Sequence, residues 1–202
     1  NEPEIGLDTV KTAEKAVAEL RRIGCDEIVG NLGGAGVVGL IRGRGLPEVA
    51  RRPRIGLRGD TDALPLVEAT GCAYTSGFEG VMHACGHDAH ISMLLTAARV
   101  LAEHQDELKC TVKLIFQPAE ELTNGAVKVL ESGKVGKLDT VAGMHIFPYL
   151  ESGTISVDPG PRYTSASFMN IKIIGKSGHG AMPQYAVDPI YVGAKVVDAL
   201  QS

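Results

Sequence analysis

Short runs of β-branched and aliphatic residues alternate with longer stretches of helical apolar spacing, and that alternation restricts the fold more than any other feature of the chain. Val10, Ala13, Val17, Leu20 and Ile23 recur at helical intervals and Gly24 stops the run. β-rich runs come next at Glu27–Val29, Val37–Ile41 and Ile55–Leu57. A second amphipathic helix is predicted from about His90 to Ala102, with Met93, Leu94, Ala97, Val100 and Leu101 inward. Thr111–Phe116 reads as a strand ended by Gln117-Pro118, Ala126–Leu130 as a short helix closed by Gly133, and Val141–Met144 as a buried strand. This order predicts an α/β layer architecture with a mainly parallel sheet flanked by helices.

The pattern changes near residue 153. Gly153–Val157 reads as a strand, Asp158-Pro159-Gly160-Pro161 as a loop, Phe168–Ile174 as a strand of alternating character, and Asp188–Leu200 as a helix. A boundary near Pro161 divides the chain into residues 1–160 and 161–202, the second being the opening of a small α+β domain. With 202 residues the chain should bury roughly 70% of its unfolded surface. A net charge of −4 and the absence of a basic stripe exclude a nucleic-acid footprint, and no apolar run reaches the ~18 residues that span a membrane. The four cysteines (Cys25, Cys72, Cys85 and Cys110) form no CxxC pair and read as reduced thiols of a cytoplasmic protein, Cys85 aside.

Gly34-Ala35-Gly36-Val37-Val38-Gly39 matches GxGxxG, and Asp60 lies where a ribose-binding acid would. That fingerprint needs a helix behind it, so that phosphate meets the helix N-terminus. Val37, Val38, Leu40 and Ile41 favour a strand instead, and Gly43, Gly45 and Pro47 oppose a helix. The pattern is read as a turn between strands.

Three predicted strands end in acidic or imidazole side chains. Ile55–Arg58 leads into Gly59-Asp60-Thr61-Asp62, Leu114–Phe116 into Gln117-Pro118-Ala119-Glu120-Glu121, and Val141–Met144 into His145. Ligands of open α/β sheets bind beyond the carboxyl ends of strands, where such groups converge. Between the first two lies Met82-His83-Ala84-Cys85-Gly86-His87-Asp88-Ala89-His90, with three His, one Cys and one Asp in nine positions. Thiolate, imidazole and carboxylate together favour Zn²⁺ or a neighbour such as Mn²⁺ or Co²⁺ over Ca²⁺. His83 and His87 have HExxH spacing, but Ala84 replaces the Glu, and no second Cys or His pair completes a zinc finger. Adjacent Glu120 and Glu121 suggest one coordinating carboxylate and one free to act as a general base toward water.

At these residues the chain resembles the M20 family of metallopeptidases and amidohydrolases, in its aminoacylase-like branch with hippurate hydrolases, N-acyl-amino-acid amidohydrolases and auxin-conjugate hydrolases. The matching stretches are Arg58–Pro65, Met82–His90, Phe116–Glu121, Gly143–His145 and Gly175–Pro183. The resemblance implies a zinc-peptidase-like catalytic domain and a lid or dimerisation domain. It implies that Cys85, His87, Glu121 and His145 ligate two divalent ions, Zn or Mn with Co or Ni as alternatives, and that Glu120 is the base. Asp62 would orient a ligand. His179 would belong to the lid, bind substrate and stabilise the oxyanion across a homodimer. The implied reaction is hydrolysis of a small N-acyl-amino acid, with no nucleic acid and no membrane involved. Family members also carry upstream residues and a further C-terminal half with one more metal-binding His, so a truncated, inactive remnant that binds metal or a partner is the competing expectation.

Overall fold

The computed structural model describes residues 2–163 and 169–201, which divide into two compact units, 1–152 and 153–202. In the first unit, α1 (Val10–Ile23), α2 (His87–Glu103) and α3 (Gly125–Glu131) accompany five strands: β1 (Glu27–Leu32), β2 (Gly36–Arg42), β3 (Arg54–Asp60), β4 (Thr111–Gln117) and β5 (Thr140–Gly143). The strands form one sheet in the order β1-β2-β4-β3-β5.

The α/β class holds: β1, β3, β4 and β5 point in one direction, and β2 runs against them. β1 pairs with β2, and β2 with β4, in antiparallel fashion, whereas β3 runs parallel to both β4 and β5. Connection length explains the split. Only Gly33, Gly34 and Ala35 separate β1 from β2, enough for a hairpin and too few for a parallel crossover. The crossovers from β3 to β4 and from β4 to β5 contain α2 and α3, as parallel strands of one sheet require. The Gly34–Gly39 pattern lies in this hairpin and on β2, and the next element is β3, so no helix N-terminus succeeds it.

Side-chain alternation along β4 divides the core between the two faces of the sheet. Val112, Leu114 and Phe116 join Leu20 of α1 and Leu94 and Ala98 of α2 on one face. Ile115 meets Val129 and Val135 on the other, where α3 packs. Helix α2 begins one turn earlier than predicted, at His87, and buries His87, His90, Leu94 and Ala98. Of its expected inward residues, Val100 is exposed and Met93 and Ala97 are only half-buried.

β5 is the second departure. Its residue types predict burial, yet all four of its residues are exposed, because it sits at the sheet edge and, among the described residues, pairs only with β3. In the second unit, neither 153–157 nor 169–174 is a strand; Phe168, the start of the latter run, lies outside the described residues. A β-rich run becomes a strand only against a hydrogen-bonding partner. Among the described residues of that unit the only β-bridge joins Lys176 to Val187. Helix α4 (Pro189–Leu200) forms where predicted, with Pro189 in its first turn and the Asp188 carboxylate accepting from the Ile190 N–H at 2.9 Å.

Candidate metal centre

Because β3, β4 and β5 are parallel, their carboxyl ends lie at one edge of the sheet, and the N-terminus of α2 reaches the same edge. Asp60 ends β3, Glu120 and Glu121 come after β4, and His145 after β5. Beyond Pro118 the chain turns through Ala119, whose φ of 51° is unusual for a residue with a Cβ. Asp62 fixes the next two residues: its carboxylate oxygens accept from the Glu120 and Glu121 N–H groups at 2.9 and 3.1 Å.

His87 is oriented by the same stretch. Its Nδ1 lies 2.7 Å from the Asp62 carbonyl oxygen, which is only an acceptor, so Nδ1 carries the proton and donates it. Nε2 is left as an aprotic lone pair. It is buried without a hydrogen-bond partner among the described residues, as is Oε1 of Glu121, 3.8 Å away. Oε2 of Glu120 is also 3.8 Å from Nε2. On the other side, Cys85 Sγ lies 3.3 Å from His145 Nε2. Candidate ligand atoms of Cys85, His87 and His145 fall within 4.8 Å of one another, and so do those of His87, Glu120 and Glu121. His87 is common to both sets. Sequence reasoning groups Cys85, His87, Glu121 and His145 together, and the fold brings all four to this edge with Glu120 and Asp62 beside them.

The electrostatics match a crowded acidic pocket. Burial pushes the Cys85 thiol up to about 11, with the carboxylates of Glu121, Glu120 and Asp60 adding to the effect. Burial, then neighbouring Glu121, raises the Glu120 carboxyl above its usual range. For His87, burial opposes the imidazolium, but Asp62 and Asp60 outweigh it and raise the pKa. The donors fit a divalent ion. A soft sulfur, imidazole nitrogens and carboxylate oxygens converge, and two buried polar atoms, His87 Nε2 and Glu121 Oε1, make no hydrogen bond among the described residues.

Asp60, His90, Arg58 and Gln117 are the part to which sequence reasoning assigns no role. Burial would raise the Asp60 carboxyl, but the His90 hydrogen bond and then the Arg58 guanidinium prevail and hold it at about 2, below an ordinary 3.8. Arg58 donates to Asp60 Oδ2 at 2.7 Å and to Gln117 Oε1 at 2.9 Å. Two spacings in the sequence carry the signal. Arg58 and Asp60 are two apart on a strand, and His87 and His90 three apart on a helix, so each pair shares a face.

This hub has a pH consequence. A depressed carboxyl stabilises the fold fully above its unfolded-state pKa and loses that contribution as pH falls from about 4 toward 2, here about 2 kcal/mol. Urea midpoints measured through that range should fall for the unmodified chain, and Asp60→Asn should flatten the acid limb while lowering neutral-pH stability.

Gly86, which precedes α2, has φ +80°, and a Cβ there would meet Ile146 Cδ1 at 2.2 Å. Gly86→Ala combines left-handed strain with a displaced Ile146 and should cost about 2–3 kcal/mol, read as a lower denaturant midpoint.

His179 lies in the second unit, exposed, in a turn where its Nδ1 accepts from the Ala181 N–H at 3.2 Å.

An α/β sheet with a cluster of His, Cys and Glu at its carboxyl edge has its candidate ligands where open α/β folds bind theirs. Residues 56–200 match the model of peptidase family M20/M25/M40, and the chain belongs to that family. It is 41% identical over 199 residues to the Arabidopsis thaliana IAA-amino acid hydrolase ILR1-like 4, covering 98% of this chain and 44% of that protein. It is 40% identical over 202 residues to the Campylobacter jejuni hippurate hydrolase, covering 99% of this chain and 51% of that protein. Among solved structures, a Bacillus subtilis protein described as a dinuclear metal binding peptidase from the M20 family superposes with TM-score 0.73 at 40% identity, covering 79% of this chain and 43% of that one. A putative aminohydrolase from methicillin-resistant Staphylococcus aureus gives TM-score 0.81 at 34% identity, covering 100% and 52%. The chain thus spans about half the length of the relatives it matches. No helix among the described residues is long and apolar enough to cross a membrane.

Proposed function

We propose that this chain carries the metal-binding face of a cytoplasmic amidohydrolase that cleaves N-acyl-amino acids, with Cys85, His87, Glu121 and His145 holding a pair of divalent ions, zinc or manganese with cobalt or nickel as alternatives. The observation that carries the reading is the pair of buried atoms that make no hydrogen bond among the described residues, His87 Nε2 and Glu121 Oε1, inside a ring of further donors. Bound divalent ions supply Lewis acidity: they lower the pKa of water and polarise the amide carbonyl.

The side chains divide the remaining work. Glu120, raised by burial and by Glu121, takes the proton of the attacking water and delivers it to the leaving amine. Asp62 holds the backbone of both glutamates and so sets their separation. His179 belongs to a lid comprising residues 161–202, which comes after a catalytic part of 1–160 in the chain, and binds substrate and stabilises the oxyanion across a homodimer joined through that lid. The names of the relatives, an auxin-conjugate hydrolase and a hippurate hydrolase among them, support an acyl group on an amino acid as the substrate class.

Retention of Glu120 beside Glu121 supports turnover over mere metal binding, since a binding module has no use for a second, free carboxylate. The test is metal analysis of the purified chain and then release of glycine from N-benzoylglycine. Two ions per chain with turnover is the expected result. Bound ions without turnover of any N-acyl-amino acid would favour the non-catalytic reading, and no bound ion would reject both.

A further inference from the structure

His90 is fully engaged at both ring nitrogens. Its Nδ1 lies 2.6 Å from Asp60 Oδ1, and its Nε2 lies 3.0 Å from the backbone nitrogen of Ile146. The Ile146 N–H is only a donor, so Nε2 must be the acceptor, and the ring proton sits on Nδ1, aimed at the Asp60 carboxylate. The His90 ring also meets the ring of His145 edge to face, with centroids 4.6 Å apart. Asp60, His87 and His90 have ligand-type atoms close enough to suggest a third ion site. The two hydrogen bonds exclude His90 as a ligand there, because it has no lone pair left to give.

Two of the residues it contacts, His145 and Ile146, are on the exposed side of the site. His145 comes after an exposed edge strand and is itself exposed, whereas Asp60 and His90 are buried. A tether therefore runs from the interior (Arg58 to Asp60 to His90) to the first peptide beyond His145. Ile146 is lodged on its other side against Gly86, where a side chain would collide with it.

We propose that His90 is a positioning residue: held in one tautomer by Asp60, it pins the Ile146 peptide and packs against the His145 ring, fixing where His145 presents Nε2 to a cation. This rests on the reading of His145 as a ligand, but the tether itself is testable without any ion. Nitrogen-15 NMR of the ion-free chain should show His90 Nδ1 protonated and Nε2 bare; the reverse tautomer would overturn the proposal, and no variant is needed.

Two substitutions then separate positioning from space-filling. His90→Asn keeps an amide N–H near the Nδ1 position and its bond to Asp60, but loses the acceptor for Ile146. His90→Gln places its amide oxygen near the Nε2 position and keeps that acceptor. In the ion-free chain, His90→Asn should speed amide exchange at Ile146 about tenfold, and His90→Gln should not. Titrated with Zn²⁺ alone, His90→Asn should weaken one of two binding steps by about 10–100-fold, with His90→Gln near the unmodified value. Equal exchange rates, or equal losses of Zn²⁺ affinity, in the two variants would overturn the positioning role. An unmodified chain that binds no Zn²⁺ would reject the ligand reading while leaving the NMR result to judge the tether.

Discussion

Glu120→Gln should retain both divalent ions and lose about 10²–10⁴-fold in turnover of an N-acyl-amino acid. The amide of Gln keeps the size of the side chain and the backbone bond from its N–H to Asp62, so the geometry around Glu121 persists. The loss is of a carboxylate able to accept a proton. Glu120 suits that task because burial and Glu121 raise its pKa, bringing it nearer the working range of a base than a solvated glutamate. Parallel measurement of ion content and turnover number checks the expectation. Unchanged turnover would remove Glu120 from the reaction, and lost ions would mark it as a ligand instead.

Asp62→Ala should have the largest effect on stability, about 3–5 kcal/mol, together with loss of ion binding. The Asp62 carboxylate is buried, and two backbone N–H groups depend on it, those of Glu120 and Glu121. It also stands 3.5 Å from His87 Nδ1, reinforcing the orientation that the Asp62 carbonyl imposes. Burial opposes its ionisation, yet these hydrogen bonds hold its pKa low. Removing it strands donors in the interior and frees the two glutamates to drift. Urea unfolding and Zn²⁺ titration of the variant check both halves. Asp62→Asn, which keeps one acceptor, should fall between the two. Equal urea midpoints for Asp62→Ala and the unmodified chain would show that the bonds from Glu120 and Glu121 contribute little.

The site is legible in the sequence to the extent that its donors sit at strand ends. A run such as Val112–Phe116 announces a strand by its β-branched and aromatic content, and the segment Gln117 to Glu121 must then leave the sheet at one edge. That logic locates Glu120, Glu121, Asp62 and His145 without coordinates. Composition marks Cys85 and His87, because so dense a cluster of donors has few structural uses. The chemistry of Asp60 and His90 is less legible, since whether a buried acid and imidazole meet depends on helix α2 beginning at His87 and crossing β3 at Gly59, a tertiary fact. Gly59 permits that crossing: a Cβ there would stand 3.3 Å from Leu94 and 3.4 Å from the His90 carbonyl oxygen.

Strand direction is the weaker inference. A short hairpin such as Gly33–Ala35 forces antiparallel pairing, and the alternation of strands with helices speaks only for the elements that helices connect. β5 shows the other limit. Val141 and Ala142 look like core residues by type, but burial is decided by the elements that cover them, and among the described residues that strand has a partner on one side only. The same holds for 169–174, where alternation alone does not create a ladder.

X-ray absorption of the zinc-loaded chain bears most directly on the claim that Cys85, His87, Glu121 and His145 grip a common pair of ions. The expected spectrum has a sulfur shell at about 2.3 Å from Cys85 beside nitrogen and oxygen ligands at about 2.0–2.2 Å, with the sulfur contribution lost in Cys85→Ser. A zinc spectrum with only nitrogen and oxygen neighbours, the same in the unmodified chain and in Cys85→Ser, would contradict it.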